Sequence, residues 1–597
     1  MEAHVILMEI IKKYKFLILA LLVSLASVYS LFGSGLPPTH DGEYHVIRFY
    51  EFYNALSGGD LYPRWAADLN NGFGVPLFNY VYPLPNYVAS FLHLFGIGFI
   101  DSFKISLAVA TVLGAGFFYL WTRIFWGNLG GLVSSVFYTF SPYHLLDIYI
   151  RGSVGEVWAL AIFPAFLWST TVYIKTKKPI FFPLSSVLFA LLIFSHNILA
   201  LMFSAFLISY VIFLIYKEKD KRSLIYKYTS ILVIGLGLSS VFWLPALLEK
   251  NYVVGLEIYD IANNFPYLYE LLFPSWGSGF SEGSLGNKLS FQIGIANLLV
   301  IFASIIVVFL SKPRIHDLTV GALGRFASRC SMNPRSPASL REAGRADDRG
   351  IVVRGKRKDN NKSLFIFFIL SFFFVFFLMM ESSKFIWDNV PLMNYFQFPW
   401  RFLSLQILIC SFLAGGVIYF GKAKKILAGV LISMAILLGI GYAKPAHFLE
   451  RNDAYYITRS NFIDGTNSPG NTFNTVWFRG AEKKQNKLTL AQGSADIEIK
   501  SVKNSYYSAE IKADEDSSVI VNTAYFPGWG VWIDGKKTNI EKTEKGLFAF
   551  NIKQGVHDVE VRLENTPIQQ AGIFGFFVSI TVLLLLFGKA IFVTIKK

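Results

Sequence analysis

SLFIFFILSFFFVFFLMM, residues 363–380, carries no charged side chain and eight phenylalanines. As a helix rising 1.5 Å per residue it reaches roughly 27 Å, close to the ~30 Å of a bilayer's hydrocarbon core. A run of this kind is a membrane span, and runs like it recur from end to end. The twelve expected spans are 15–33, 103–122, 129–143, 154–174, 180–194, 197–216, 225–248, 291–311, 363–381, 401–420, 425–442 and 571–593. The whole chain of 597 residues is 53% hydrophobic and only 16% charged, against roughly 25% charged in soluble proteins. A string of soluble domains is excluded, and the fold class is a polytopic α-helical membrane protein. Leu84–Phe95 is also apolar, but it is short and broken by Pro85 and His93, so it reads as a juxtamembrane or re-entrant helix.

Charge orients the chain. With the N-terminus inside, the cytoplasmic loops hold Arg123, then Lys175, Lys177 and Lys178, and then the basic run from Lys217 to Arg222. The insert 312–362, the Lys422, Lys424 and Lys425 cluster, and the C-terminal Lys596 and Lys597 fall on the same side, as the positive-inside rule requires. The net charge of +15 therefore reflects membrane topology and gives no reason to expect nucleic acid. The insert alone counts 13 Lys/Arg against 5 Asp/Glu, a composition too polar to bury a core and suited to anionic lipid headgroups. Lys12, Lys13 and Lys15 before the first apolar run resemble a signal peptide, but the many later spans favour an uncleaved helix. Cys330 and Cys410 are the chain's two cysteines, too few for a disulfide scaffold or a four-thiolate metal site.

Three long segments fall outside: 34–102, 249–290 and 443–570. In the last, strand-like alternation over Lys487–Leu490, Asp496–Val502, Tyr506–Lys512, Ser518–Thr523, Val531–Ile533, Leu547–Ile552 and His557–Leu563 predicts an external antiparallel β-sandwich. The expected layout is a transmembrane domain over 1–442, a sandwich over 443–570, and a final helix with a cytoplasmic tail over 571–597.

Polar motifs gather on the external side, where ionisable groups at a membrane boundary are costly unless paired or used. Asp41 stands where it would cap the next helix, with Glu43 complementing the dipole in its first turn. Asp41, His45 and Arg48 follow at i, i+4 and i+7, on one helical face. A carboxylate beside an imidazole and a guanidinium makes a general base next to a phosphate-binding group; the same spacing also describes a capped interfacial helix with no catalytic role. Arg151 and Glu156 are five apart and need not touch. His196 lies in the sharp turn Ser195-His196-Asn197. Arg401, after Gln397-Phe-Pro-Trp400, is a positive charge on the side that disfavours it, which makes a phosphate partner attractive. His40, Asp41, Glu43, His45, His144 and His196 are metal-ligand types, yet no His-x-x-x-His pair encloses a Glu. The metal site is undefined, and a divalent metal stays open.

Taken together, His40-Asp41-Gly42-x-Tyr44-His45, Arg151-Gly152 with Glu156, Ser195-His196-Asn197 and Phe398-Pro399-Trp400-Arg401 resemble the bacterial multi-pass membrane proteins labelled 6-pyruvoyl-tetrahydropterin synthase-related. These look like members of the GT-C glycosyltransferase superfamily. The segment Tyr525-Phe-Pro-Gly-Trp529, with Ile533-Asp534-Gly535-Lys536 and Gly555-x-His557, is similar to the C-terminal sandwich of related envelope proteins implicated in glycosylation.

The resemblance implies a GT-C-like fold in the bacterial inner membrane, with an external active site. It implies a catalytic carboxylate in the first external loop, which Asp41 matches, with Glu43 beside it. It also implies a polyprenyl-phosphate sugar donor and a glycan, lipid or protein acceptor. Asp41 would then be the base of an inverting transfer. His40, His45, Arg48, Arg151, Glu156, His196 and Arg401 would surround the lipid phosphate. The aromatic group Tyr525, Trp529 and Trp532 would either hold glycan or fill the sandwich's own core. Competing readings are a transporter or flippase of lipid-linked envelope precursors, and a non-catalytic envelope scaffold.

Overall fold

The computed structural model describes residues 2–255, 261–281, 288–310, 361–458, 471–480 and 486–595. Nearly all of the basic insert expected at 312–362 lies outside the described residues. The helices that matter here are α1 (Glu2–Val28), α2 (Gly42–Ser57), α3 (Leu84–His93), α4 (Phe99–Thr139), α5 (Pro142–Leu146), α6 (Val154–Thr176), α7 (Phe181–Ser195), α8 (Asn197–Tyr216), α9 (Lys221–Leu238) and α10 (Ser240–Leu248). They continue with α11 (Ile295–Leu310), α12 (Asn361–Leu378), α13 (Leu403–Phe420), α14 (Lys424–Gly439) and α15 (Pro567–Ile595).

Among the described residues eight helices are long and apolar enough to cross a membrane, or nine if the bent pair α9 and α10 counts as one span. The expectation of twelve full crossings is thus not met on length. Helices α7 and α11 have 15 and 16 residues, short of the roughly 20 a straight crossing needs, and α9 meets α10 at 74°. At ten residues, α3 is shorter still.

The 41-residue α4 is two helices in one run. Gly127, at φ 73° and ψ 179°, breaks it, in a backbone region open essentially to glycine alone. Beyond it the chain folds back. Ser135 Oγ donates to the Ala115 carbonyl at 2.8 Å and Phe118 stacks on Tyr138 at 4.3 Å. In a straight helix residues 20 apart would be separated by ~30 Å. The two arms of this hairpin pack against α1, α6 and α13. Helices α6 and α13 are the buried centre of the bundle, whereas α14 and α15 keep most of their apolar surface exposed, as lipid-facing helices do.

Among its described residues the C-terminal region holds nine strands: β1 (Leu488–Gln492), β2 (Ala495–Val502), β3 (Tyr506–Ala513), β4 (Ser517–Val521), β5 (Trp529–Ile533), β6 (Lys536–Thr538), β7 (Glu541–Lys542), β8 (Phe548–Ile552) and β9 (Gly555–Leu563). They form two antiparallel sheets in the orders β1-β4-β8-β7 and β2-β3-β9-β5-β6. Alternation sets the inward faces: Tyr507, Ala509 and Ile511 from one sheet, and Val519, Val521, Phe548 and Phe550 from the other, share one apolar cluster. Strands β6 and β7 extend the expected set. Trp529 fills this core, stacked on Tyr507 at 5.6 Å, while Trp532 lies beneath the Arg562 guanidinium at 3.8 Å.

The first loop is welded to this domain. Trp65 is fully buried within the domain's core, edge-on to Trp529 at 5.4 Å. Lys487 Nζ donates to the Gly72 carbonyl, and Asn504 and Ser505 both donate to the Asp60 carboxylate. A second buried polar cluster ties the loop to the last helix. Arg64 Nη1 donates to Asn79 Oδ1 at 2.9 Å, Asn79 Nδ2 to Glu249 Oε2 at 2.8 Å, and Gln569 Nε2 to the same oxygen at 3.0 Å.

Candidate functional site

The helical hairpin ends at α5, where the backbone widens into a single π turn, Asp147–Arg151, a distortion frequent at functional sites. Gly152 then takes a left-handed conformation, φ 63°, and α6 begins at Val154. This reversal turns the first residues of α6 back toward the π turn. Arg151 and Glu156, five apart in sequence, therefore meet as a fork. Arg151 Nη1 lies 2.6 Å from Glu156 Oε2 and Nη2 lies 2.8 Å from Oε1. Arg151 Nη1 also reaches Asp147 Oδ1 at 2.5 Å. Paired, bidentate contacts of this kind are the strong ones.

Two further elements deliver cations and donors to the same carboxylate. A 3₁₀ turn, Pro399–Phe402, precedes α13 and aims Arg401 at it, with Nε 3.3 Å from Glu156 Oε1. Arg401 Nη1 is spent on the Phe396 carbonyl and Gln397 Oε1. Nη2 has no hydrogen-bond partner among the described residues. At the α7–α8 junction His196 Nδ1 accepts from the Leu199 amide at 3.3 Å. Accepting there places the proton of a neutral imidazole on Nε2, which points toward Glu156 Oε1 from 3.9 Å, too far for a hydrogen bond. Tyr143 donates its hydroxyl to Glu156 Oε2 at 3.2 Å.

The side chains of Asp147 and Glu156 are wholly buried, and those of Arg151, Arg401 and His196 nearly so. Two guanidiniums and two carboxylates balance, so the cluster is neutral overall. Buried charge survives only when paired in this way. The Trp400 ring covers Arg151 at 5.0 Å, and Phe291 stacks on Trp400 at 5.6 Å.

The first loop approaches this cluster along its backbone. The His40 amide donates to the Ile150 carbonyl and the Asp41 amide to that of Arg151, both at 2.9 Å. Asp41 occupies the N-cap position of α2 but its side chain makes no capping bond, which corrects the expectation of a capping role. Thr39 Oγ1 accepts from the Gly42 amide instead. The Asp41 carboxylate makes no hydrogen bond or ion pair among the described residues.

Glu43 is engaged elsewhere, 2.8 Å from Arg451 Nη1 and 3.3 Å from the Tyr456 hydroxyl. His40 Nε2 pairs with the Ser278 carbonyl at 2.8 Å. Arg48 is half-buried, with its guanidinium over the Tyr44 ring. His45 is 2% exposed, with its ring between Phe49 and Phe103. Burial holds it neutral well below the usual histidine range, and this placement argues against a contact with a lipid phosphate. His144 is likewise turned inward, toward the Tyr138 carbonyl.

Four of the expected residues, Arg151, Glu156, His196 and Arg401, thus converge, and Asp41 stands at their edge. Tyr82 was missed, because nothing in Val81-Tyr82-Pro83 marks it. Its ring lies 5.0 Å from that of His196, and it is within electrostatic reach of Asp41, Arg48, Arg151 and Glu156. No three His, Cys, Asp or Glu side chains among the described residues form a metal-binding group. A cavity of about 270 Å³ lies elsewhere, where the end of α2 meets the β2–β3 turn, lined by Asp60 and Lys503–Tyr506.

Residues 78–445, the stretch that carries the charged cluster, match the family model described as the 6-pyruvoyl-tetrahydropterin synthase related domain, a membrane protein. The chain belongs to this family. Residues 471–564 match a second model, bacterial membrane protein YfhO, over the two sheets. No curated protein matches the chain. Among solved structures it is distantly similar to the arabinofuranosyltransferase AftD from Mycobacteria, at 15% identity and a TM-score of 0.41, over 74% of this chain and 28% of that one. A mutant of the same enzyme gives 15% identity and 0.41 over 73% and 29%. The chain therefore spans less than a third of the length of the protein it is compared with.

Proposed function

We propose that this protein is an integral-membrane glycosyltransferase that moves a sugar from a polyprenyl-phosphate donor to an envelope glycan, lipid or protein. The observation that carries this reading is the pairing of opposites at one place. An uncommitted carboxylate, Asp41, is fixed by its own backbone to Arg151, at the edge of a buried, fully paired ionic cluster. In this reading the two arms of α4 cross separately and the short α7 and α11 and the bent α9–α10 pair complete twelve crossings, with both termini cytoplasmic. The site and the two-sheet domain, a β-sandwich, face outside.

Asp41 takes the proton of an acceptor hydroxyl as its oxygen attacks the anomeric carbon. The new oxygen–carbon bond forms on the face opposite the bond that breaks to the lipid phosphate oxygen, so the centre inverts. The electron pair leaves with the phosphate. Arg151 is already committed to Glu156 and Asp147, and serves to hold the cluster. Developing charge on the phosphate is met by Arg401 Nη2 and by the Nε2–H of His196. Preorganised donors of this kind are each worth about 10²–10³ in rate, and a positioned base typically 10²–10⁴. Glu43, tied to Arg451, supports the start of α2.

The test is mass spectrometry of lipid-linked sugars and envelope glycans in cells carrying wild-type or Asp41→Asn protein at matched expression. The expected result is loss of one glycan with accumulation of its lipid-linked donor. Unchanged profiles in cells that make the donor would refute Asp41 as the base and turn attention to transport or scaffolding.

A further inference from the structure

Tyr82 sits in the first loop, between the turn Leu77–Asn79 and α3, and the hydroxyl end of its ring lies against the first turn of α6. A Cβ placed on Gly155 would meet Tyr82 Cζ at 2.3 Å and its Oη at 2.7 Å. No side chain larger than hydrogen fits there, and the residue after Gly155 is Glu156. On its other side the ring packs 5.0 Å from the His196 ring and 6.4 Å from the His45 ring. The phenol is thus wedged between α2, which begins just after Asp41, and the cluster that carries Glu156.

Its hydroxyl is what distinguishes it from its neighbours. Tyr138 donates to the Leu160 carbonyl, Tyr143 to Glu156 and Tyr149 to the Ser27 carbonyl. The Tyr82 hydroxyl has no hydrogen-bond partner among the described residues, although the ring is half-buried. Burial pushes this phenol well above its ordinary range, so it stays protonated and available as a donor. Beside it is a second donor with capacity to spare, the His196 Nε2–H, on a ring 5.0 Å away that faces the Glu156 carboxylate, which Arg401 reaches from another side. The Tyr82 hydroxyl and the His196 Nε2–H thus stand side by side with neither one held in a hydrogen bond among the described residues, a pair of donors suited to an oxyanion.

We propose that Tyr82 is the residue that positions the ligand of this site, donating its hydroxyl hydrogen to an oxygen of a phosphate group held between Asp41 and the Glu156 cluster. The choice of a lipid-borne phosphate as ligand rests on the function proposed above; the donor role of Tyr82 rests on the geometry.

The experiment uses full-length protein in nanodiscs and three probes: farnesyl phosphate, farnesol and inorganic phosphate. Wild type binds farnesyl phosphate more tightly than farnesol, and inorganic phosphate reports how much of that preference is the headgroup alone. Tyr82→Phe keeps the ring against Gly155 and His196, so it should melt like wild type. Losing a hydrogen bond to a charged group should weaken farnesyl phosphate by about tenfold or more and leave farnesol unchanged. Gly155→Ala displaces the ring and should give a similar loss, with the double variant no weaker than Gly155→Ala alone. Equal farnesyl phosphate affinity in Tyr82→Phe, or a wild type that binds farnesol equally well, overturns the proposal. The two readings fail separately. Unchanged glycans in Asp41→Asn remove the transferase and leave the phosphate contact standing, whereas unchanged binding in Tyr82→Phe removes the contact and leaves the transferase.

Discussion

Replacing Glu156 with Gln keeps its shape and removes one charge from a cluster that is otherwise balanced. The side chain is wholly buried and receives Arg151 through two contacts, Arg401 through a third and Tyr143 through a fourth. Without it two guanidiniums share one carboxylate, Asp147. Breaking a buried pair by removing one partner costs roughly 3–5 kcal/mol. That figure is the penalty of stranding a charge and does not measure what the pair adds to stability, since desolvation already consumes most of the Coulombic gain. Arg151→Gln strands the opposite sign and should cost a similar amount. The double variant leaves Arg401 facing Asp147 and is balanced again, so its loss should fall short of the sum by ~0.5–3 kcal/mol. Denaturant unfolding of the purified full-length protein in detergent, run on all four species, measures each term. Losses that add to within about 0.5 kcal/mol would refute charge balance as the organising feature of the site.

Trp65→Ala should destabilise the protein by ~3–5 kcal/mol, seen as faster hydrogen exchange in β5 and β9; unchanged exchange there would mean the loop merely rests on the domain. For His45, whose folded pKa is depressed, the unfolded chain takes up a proton near pH 6.5 that the folded chain refuses. The stability it contributes above that pH is lost as pH falls toward the folded value. His45→Phe, which keeps a ring against Phe49 and Phe103, should flatten the loss between about pH 6.5 and 5, and matching slopes in the two proteins would place its source elsewhere.

Hydropathy makes the central helices legible because a buried helix such as α6 or α13 must be apolar all round. It overstates α11, whose expected start at 291 falls in non-helical chain ahead of Ile295, whereas α7 keeps the 15 residues expected of it. The reversal near Gly127 is legible too, since 103–122 and 129–143 read as separate spans with Arg123 between them; what packing adds is the contact of Ser135 with Ala115 across the two arms. The contact of Arg151 with Glu156 is invisible to a 3.6-residue period, because it depends on a π turn followed by the left-handed Gly152. Asp41 and Glu43 look equivalent in sequence. What separates them is Arg451, 408 positions further along. Tyr82 is hidden for the same reason, since its significance comes from Gly155 and His196. The strands, by contrast, show themselves through alternation, and the Asp534-Gly535 turn does take up positive φ at both residues.

The interlocking of the first loop with the C-terminal sheets sets a timetable for biogenesis. Asp60 waits for partners 444 and 445 positions downstream, and Trp65 for a core that does not exist until β5 and β9 are made. At ordinary elongation rates that interval is roughly 20–90 s. Throughout it a large indole and the loop's buried polar groups have nowhere to go. The nascent chain therefore passes through a stage in which most of its helices are already inserted while its first loop remains unfinished. Substitutions that slow the sheets should thus damage the N-terminal loop first, as capture by quality-control proteases at residues hundreds of positions away from the lesion.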